Sequence, residues 1–237
     1  MRLFYILLIL LVITLTTKSQ QFLWANSYDI TNCNEVAALA VDSSGNIFMC
    51  GVYDASPFVP YTGNCYLQKT DSQGVIIWTK YFMGDIHIGD MAAVGNGTII
   101  IGQSLGPFTY EDEQYGLTGP HMFVIKLDED GSHEWHMTDE TKYGVYTNIS
   151  VGKFNNIALH IRGQFNLGDW IYIVDPDGNI LNTKLLSATE TLVIDMAHHD
   201  QRVYINGGFN ALNSTFLRSI PFFYPCHPSN MPLLSWP

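Results

Sequence analysis

The stretch Lys69-Thr70-Asp71-Ser72-Gln73-Gly74-Val75-Ile76-Ile77-Trp78 returns as Lys126-Leu127-Asp128-Glu129-Asp130-Gly131-Ser132-His133-Glu134-Trp135. Lys, Asp, Gly and Trp all recur at an offset of 57 residues. A third version, Asp175-Pro176-Asp177-Gly178, follows 47 residues later, with Asn182 where the Trp stood. Ahead of each lies a second shared piece. It reads Asp42-Ser43-Ser44-Gly45-Asn46-Ile47-Phe48-Met49-Cys50-Gly51 first, then Gly95-Asn96-Gly97-Thr98-Ile99-Ile100-Ile101-Gly102. Weaker versions run from Phe154 to Gly163 and from Asp200 to Gly207.

Each piece is a short β-branched or aromatic run bounded by Gly, Asn or Asp, which is the pattern of a strand between turns. Ser-Gly-Asn and Asp-Gly supply the positive φ that tight hairpins demand. No window holds helical periodicity over three turns. The best helical candidate, Glu35–Val41, occupies a strand slot of the repeat and is read as strand. Short strands repeating every 40 to 60 residues predict an all-β, β-propeller-like repeat array.

The order of motifs from Trp24, through Asp42-Ser43-Ser44-Gly45-Asn46 and Lys69-Thr70-Asp71-Ser72-Gln73-Gly74, to Trp78 resembles the SBBP-type β-propeller repeat. The match is good over 22–82, fair over 83–141 and weak beyond. The resemblance implies a propeller and an extracellular or cell-surface setting. It implies no single activity, because a fold of this kind hosts many.

Four units are expected, at about 30–82, 83–141, 142–188 and 189–237, giving four blades in one domain over 20–237. The strand around Trp24 aligns with the strand around Trp78, which is the last of a unit. Phe22 to Tyr28 would then complete the final unit and close the ring. The alternative uses Leu233-Leu234-Ser235-Trp236 as that last strand and leaves an open array. Four cysteines, Cys33, Cys50, Cys65 and Cys226, permit three connectivities. Closure favours Cys33 with Cys226 and Cys50 with Cys65, which would staple the ring and a hairpin.

Residues 1–19 read as a signal peptide. Arg2 precedes an uncharged apolar run from Leu3 to Leu15, and Thr17-Lys18-Ser19 leads to a cut before Gln20. The run is shorter than a spanning helix needs, so no membrane span is expected after its removal. The sequence carries 11 Lys and Arg against 22 Asp and Glu. Losing Arg2 and Lys18 leaves 9 bases and no fewer acids, which excludes a nucleic-acid partner. Asn96, Asn148 and Asn213 each head an N-glycosylation sequon without Pro, in keeping with export.

Chemistry-bearing motifs are few. His133 and His136 flank Glu134-Trp135; on a regular strand they point to opposite faces and do not share a metal. His198-His199 has the same difficulty. The Asp128 and Asp175 runs resemble fragments of a calcium loop but lack its full pattern, and acids before Gly form turns in their own right. The segment Ser104 to Pro120 reads as a long loop, with Tyr110, Glu111, Asp112, Glu113 and Tyr115 as a binding surface. Tyr53 and Tyr61 are further contact candidates.

No nucleophile elbow occurs, and the Gly-to-Trp spacing is one residue too long for a sialidase Asp-box. Four units are also too few for a quinoprotein dehydrogenase. No catalytic residue, metal or cofactor is called for. The expectation is therefore a secreted, glycosylated binding or structural module for an extracellular protein or carbohydrate. A carbohydrate-active hydrolase or lyase, with acids around the central channel, is the alternative.

Overall fold

The computed structural model describes residues 35–55, 63–139, 147–152, 155–162, 168–187, 191–199, 202–209 and 214–221. All regular elements among them are strands, joined as antiparallel meanders. The signal peptide, the Trp24 strand, Cys33, Cys226, Tyr61, Asn213 and Leu233 to Trp236 lie outside the described residues.

The first sheet begins β1 (Glu35–Val41), β2 (Ile47–Ala55), β3 (Gly63–Thr70). The next strand, β4 (Ile76–Val94), is 19 residues long and serves two meanders. Its first part pairs with β3, from Ile76 opposite Thr70 to Ile86 opposite Gly63. Its second part pairs with β5 (Gly97–Ser104), from Ile86 opposite Ser104 to Val94 opposite Gly97. The sheet continues through β8 (His121–Leu127) to β9 (His133–Asp139). The expected unit boundary after residue 82 thus falls inside one continuous strand.

A second sheet follows in the order β10 (Thr147–Val151), β11 (Ile157–Arg162), β12 (Asp169–Val174), β13 (Ile180–Ser187). The third is β14 (Thr191–His199), β15 (Arg202–Phe209), β16 (Ser214–Pro221). Glu35–Val41 is a strand, as its place in the repeat requires.

Five of the hairpins use one turn. In each, a residue accepts from the N–H three positions on and donates to the carbonyl four positions on: Asp42, Asp71, Asp128, Gly152 and Asp175. Gly45, Gly74, Gly131 and Gly178 hold the fourth position at φ between 79° and 89°; Asn155 does so at 59°. This is a type I turn closed by a left-handed residue. The four aspartates strengthen it. The Oδ1 of Asp128, for example, accepts from the N–H groups of Asp130 at 2.9 Å and Ser132 at 2.8 Å. Asp42, Asp71 and Asp175 repeat that pattern. The calcium-like runs at Asp128 and Asp175 are therefore turns, with one carboxylate oxygen of each taken by the backbone.

The cores explain the apolar runs. Ile100 of β5 and Phe123, Ile125 and Leu127 of β8 face a core shared with β1 to β4. Their neighbours Ile99, Ile101, Met122 and Val124 point the other way, into a core shared with Ile157, Leu159 and Ile161 of β11 and Tyr172 and Val174 of β12. Ala158, Ile171 and Ile173 alternate again, packing on Met196, Val203 and Ile205. The two meanders of the first sheet, and the sheets that follow it, are thus stacked face to face. A strand covered on both faces is apolar throughout rather than alternating.

Cys50 and Cys65 are free thiols in the first core, which corrects the expected bridge between them. The register places Cys50 opposite Leu67 and Cys65 opposite Val52. Such diagonal neighbours have Cβ atoms roughly 7 Å apart, against the roughly 4 Å a disulfide needs. Burial pushes the Cys50 thiol up to about 12 and holds Cys65 well above its ordinary value, so neither is a ready thiolate.

Candidate functional site

The recurring Lys and Trp converge on one atom of the next repeat. Lys69 lies near the end of β3 and Trp78 near the start of β4, and both donate to the carbonyl of Glu129, at 2.9 Å and 3.0 Å. One repeat later, Lys126 and Trp135 both donate to the carbonyl of Pro176, each at 2.9 Å. Glu129 and Pro176 are equivalent residues, each just after the Asp of its turn. In both copies the indole also packs on the turn glycine. A Cβ on Gly131 would lie 3.2 Å from Trp78, and one on Gly178 would lie 2.8 Å from Trp135. Buried Lys69 further sits over the Phe48 ring, 5.1 Å from its centroid. In the third copy Ile173 and Asn182 occupy the Lys and Trp positions, so that repeat has neither donor.

The segment Ser104 to Pro120 is not a structureless loop. It contains a hairpin of β6 (Phe108–Tyr110) and β7 (Glu113–Tyr115), and β6 pairs back onto β4. Tyr110 is fully buried, stacked on Phe82 at 4.5 Å, and its hydroxyl donates to the carbonyl of Gly131. It cannot meet a ligand, which removes it from the expected binding surface. Glu111 pairs with Lys80. Glu111, Asp112, Glu113 and Gln114 remain exposed at the tip, while Tyr115 is buried behind them. Tyr53 is likewise mostly buried, edge-on to Tyr81.

His133 and His136 stand together, contrary to the expectation of opposite faces. A bulge causes this: His133 pairs with Leu127 and Trp135 with Lys126, leaving Glu134 as an extra residue. His133 Nε2 lies 3.1 Å from His136 Nδ1. The Tyr115 ring contacts both imidazoles, at centroid distances of 5.0 Å and 5.2 Å, and its hydroxyl donates to Glu113 at 3.0 Å. Burial, then the adjacent His136, holds His133 below the ordinary imidazole value. A strand's bulge leaves little trace in its sequence, so the pairing was legible only as two histidines three apart. His198 and His199 lie on β14, opposite Val203 and Arg202.

Asn96 is exposed at the β4–β5 turn, whereas Asn148 is half-buried with Oδ1 at 3.3 Å from His160 Nδ1. An open groove of about 400 Å³ beside Asn96 is lined by Lys126, Asp128, Glu129, Asp130, Glu134 and Asn155, among others. Lys126 pairs with Glu134 there at 2.6 Å. Sequence reasoning also missed His160 and Asp169, a buried pair on β11 and β12 with Nε2 and Oδ2 4.0 Å apart. Asp90 of β4 accepts from the N–H of Ile149 at 2.8 Å and ties β10 to β4. Among the described residues, no helix is long and apolar enough to cross a membrane.

Neither a family model nor a curated protein matches the chain. Among solved structures, a tryptophan-to-alanine mutant of Synechocystis apocarotenoid oxygenase is similar at 12% identity and a TM-score of 0.46. The likeness covers 81% of this chain and 51% of that one, so this chain spans about half its length.

Proposed function

We propose that the chain is an exported, N-glycosylated β-propeller of the SBBP-like kind, acting as a binding or structural module for an extracellular protein or carbohydrate. The observation that supports the reading most is the shared carbonyl. Lys and Trp of one repeat grip the turn of the next, so the motif that defines the resemblance has a job between repeats rather than at a reactive centre. Its invariant parts build a scaffold, which leaves recognition to exposed insertions such as Glu111 to Gln114.

Four blades and closure by Phe22 to Tyr28 extend this reading. The turn of the first Lys-x-Asp motif, Asp71 to Gly74, has the same form as the two turns that receive an indole. Trp24 precedes Trp78 by 54 residues and is the candidate donor to it. The third repeat lacks both Lys and Trp, and no Asp-x-x-Gly motif follows Pro221 in the sequence. Of the two sequons among the described residues, Asn96 is the one whose side chain stands at an exposed turn.

Glycan-array and pull-down binding by the secreted chain tests the function. Saturable binding that weakens when Asp112 and Gln114 are changed to Ala supports a module. Turnover of a polysaccharide, lost on changing Asp90 or Asp169 to Asn, would overturn it in favour of the hydrolase or lyase.

A further inference from the structure

We propose that His133 and His136 form a two-imidazole chelate for one borderline divalent cation of the Zn²⁺, Ni²⁺ or Cu²⁺ class. The proposal does not depend on the binding reading above, although the site borders the same β6–β7 hairpin. Its basis is the bulge at Glu134, which turns residues three apart in sequence onto one side of β9. The ring nitrogens Nε2 of His133 and Nδ1 of His136 end 3.1 Å apart. Two nitrogens on one tetrahedral zinc, each at about 2.05 Å, are separated by about 3.3 Å. The observed spacing is within about 0.2 Å of that bite distance.

The surroundings favour a cation. Tyr115 lies against both rings and limits their rotation. Its hydroxyl holds the Glu113 carboxylate on the same hairpin, and the carboxylates of Glu113 and Glu111 act on His133 electrostatically. Part of the Glu111 charge is offset by Lys80. Imidazole donors select this class of ion over calcium or magnesium, which take oxygen ligands. Two protein ligands leave the remaining positions to water or to a donor from a bound partner, so the site is open rather than structural.

Without an ion, the same two nitrogens share a hydrogen bond between neutral rings, and the experiment must separate the two states. The full secreted chain, without a histidine tag, is titrated with ZnCl₂ against a chromophoric chelator, and ¹⁵N shifts of the histidine rings are recorded. The expected result is saturation at one ion per chain, with the shifts confined to His133 and His136. His133→Asn and His136→Asn each lose that saturable binding while keeping the far-UV spectrum and melting temperature close to the parent's. His199→Asn, on another sheet, retains it. Saturation that survives both substitutions, shifts at other histidines, or no saturable binding overturns the proposal.

Discussion

The indole N–H of Trp78 and the carbonyl of Glu129 meet at 3.0 Å across the boundary between two repeats. The partners are 51 residues apart, yet both belong to the same motif, one copy giving and the next receiving. Trp135 and Pro176 repeat the contact at 2.9 Å. A repeat protein whose units touch only their neighbours gains cooperativity from such interface terms. The clasp is one of them, and it can be dissected.

Because Lys126 and Trp135 share the Pro176 carbonyl, their losses are coupled. Trp135→Phe keeps the ring and removes the donor, at a cost of about 1 kcal/mol. Lys126→Met costs a similar amount, since the exposed side of its pair with Glu134 adds little. Either single change leaves the carbonyl one donor; the double variant leaves none. The double cost should exceed the sum of the singles in urea unfolding. Strict additivity would mean that the two bonds are independent.

Gly178 is predicted to resist any side chain. Its φ is 89°, and a Cβ would meet the Trp135 indole at 2.8 Å. Gly178→Ala should destabilise by about 1–3 kcal/mol through backbone strain and the displaced ring. Gly106→Ala, with nothing within 4 Å of its Cβ, serves as the control and should be nearly neutral in thermal melts.

Acid should weaken the turns. At Asp42 and Asp175, burial acts to raise the carboxyl pKa. Hydrogen bonds from Asn46 and Ser44 to the first, and from Asn179, Asp177 and Gly178 to the second, outweigh it and lower the value. A group depressed in the folded state stabilises above its unfolded value, here 3.8. That contribution is lost as pH falls below 3.8 towards the folded value. Asp175→Asn keeps an Oδ1 acceptor and should flatten the stability profile in that window.

His133 titrates in the opposite sense of charge but with the same slope. Its folded pKa lies below 6.5, so the unfolded chain takes up the proton first. Stability should fall as pH drops through 6.5 and level off below the folded value. His133→Gln should remove that step from a series of melts between pH 7.5 and 5.

Glycosylation should favour the exposed turn. Asn96→Gln is expected to remove a glycosidase-sensitive mass shift from the secreted chain, while Asn148→Gln has little effect on it. Gel mobility before and after enzymatic deglycosylation checks both.

Much of the architecture was legible because it depends on local chemistry. Asp71, Asp128 and Asp175 with their glycines specify turns through bonds made within five residues, so the hairpins appear directly in the sequence. The strands Ile99–Ile101 and Phe123–Ile125 appeared as apolar runs, and stacking on both faces explains why they do not alternate. The histidines were harder. Their spacing argued for opposite faces, and one bulged residue, Glu134, reversed that. Tyr110 was misread for a related reason. A tyrosine beside three acids looks solvent-facing, until Phe82 and the Gly131 carbonyl take it into the core.

By itself the sequence determined the strands, the turns and the repeat that spaces them, because hydrogen bonds within a few residues and the left-handed glycine are local matters. It carried the Lys and Trp of each repeat without saying what they hold. Only the tertiary structure decided that. It brought the carbonyls of Glu129 and Pro176 to those side chains, left Cys50 and Cys65 on a diagonal too long to bridge, and folded His133 onto His136. Each of these depends on register between strands, and a shift of one residue would undo it.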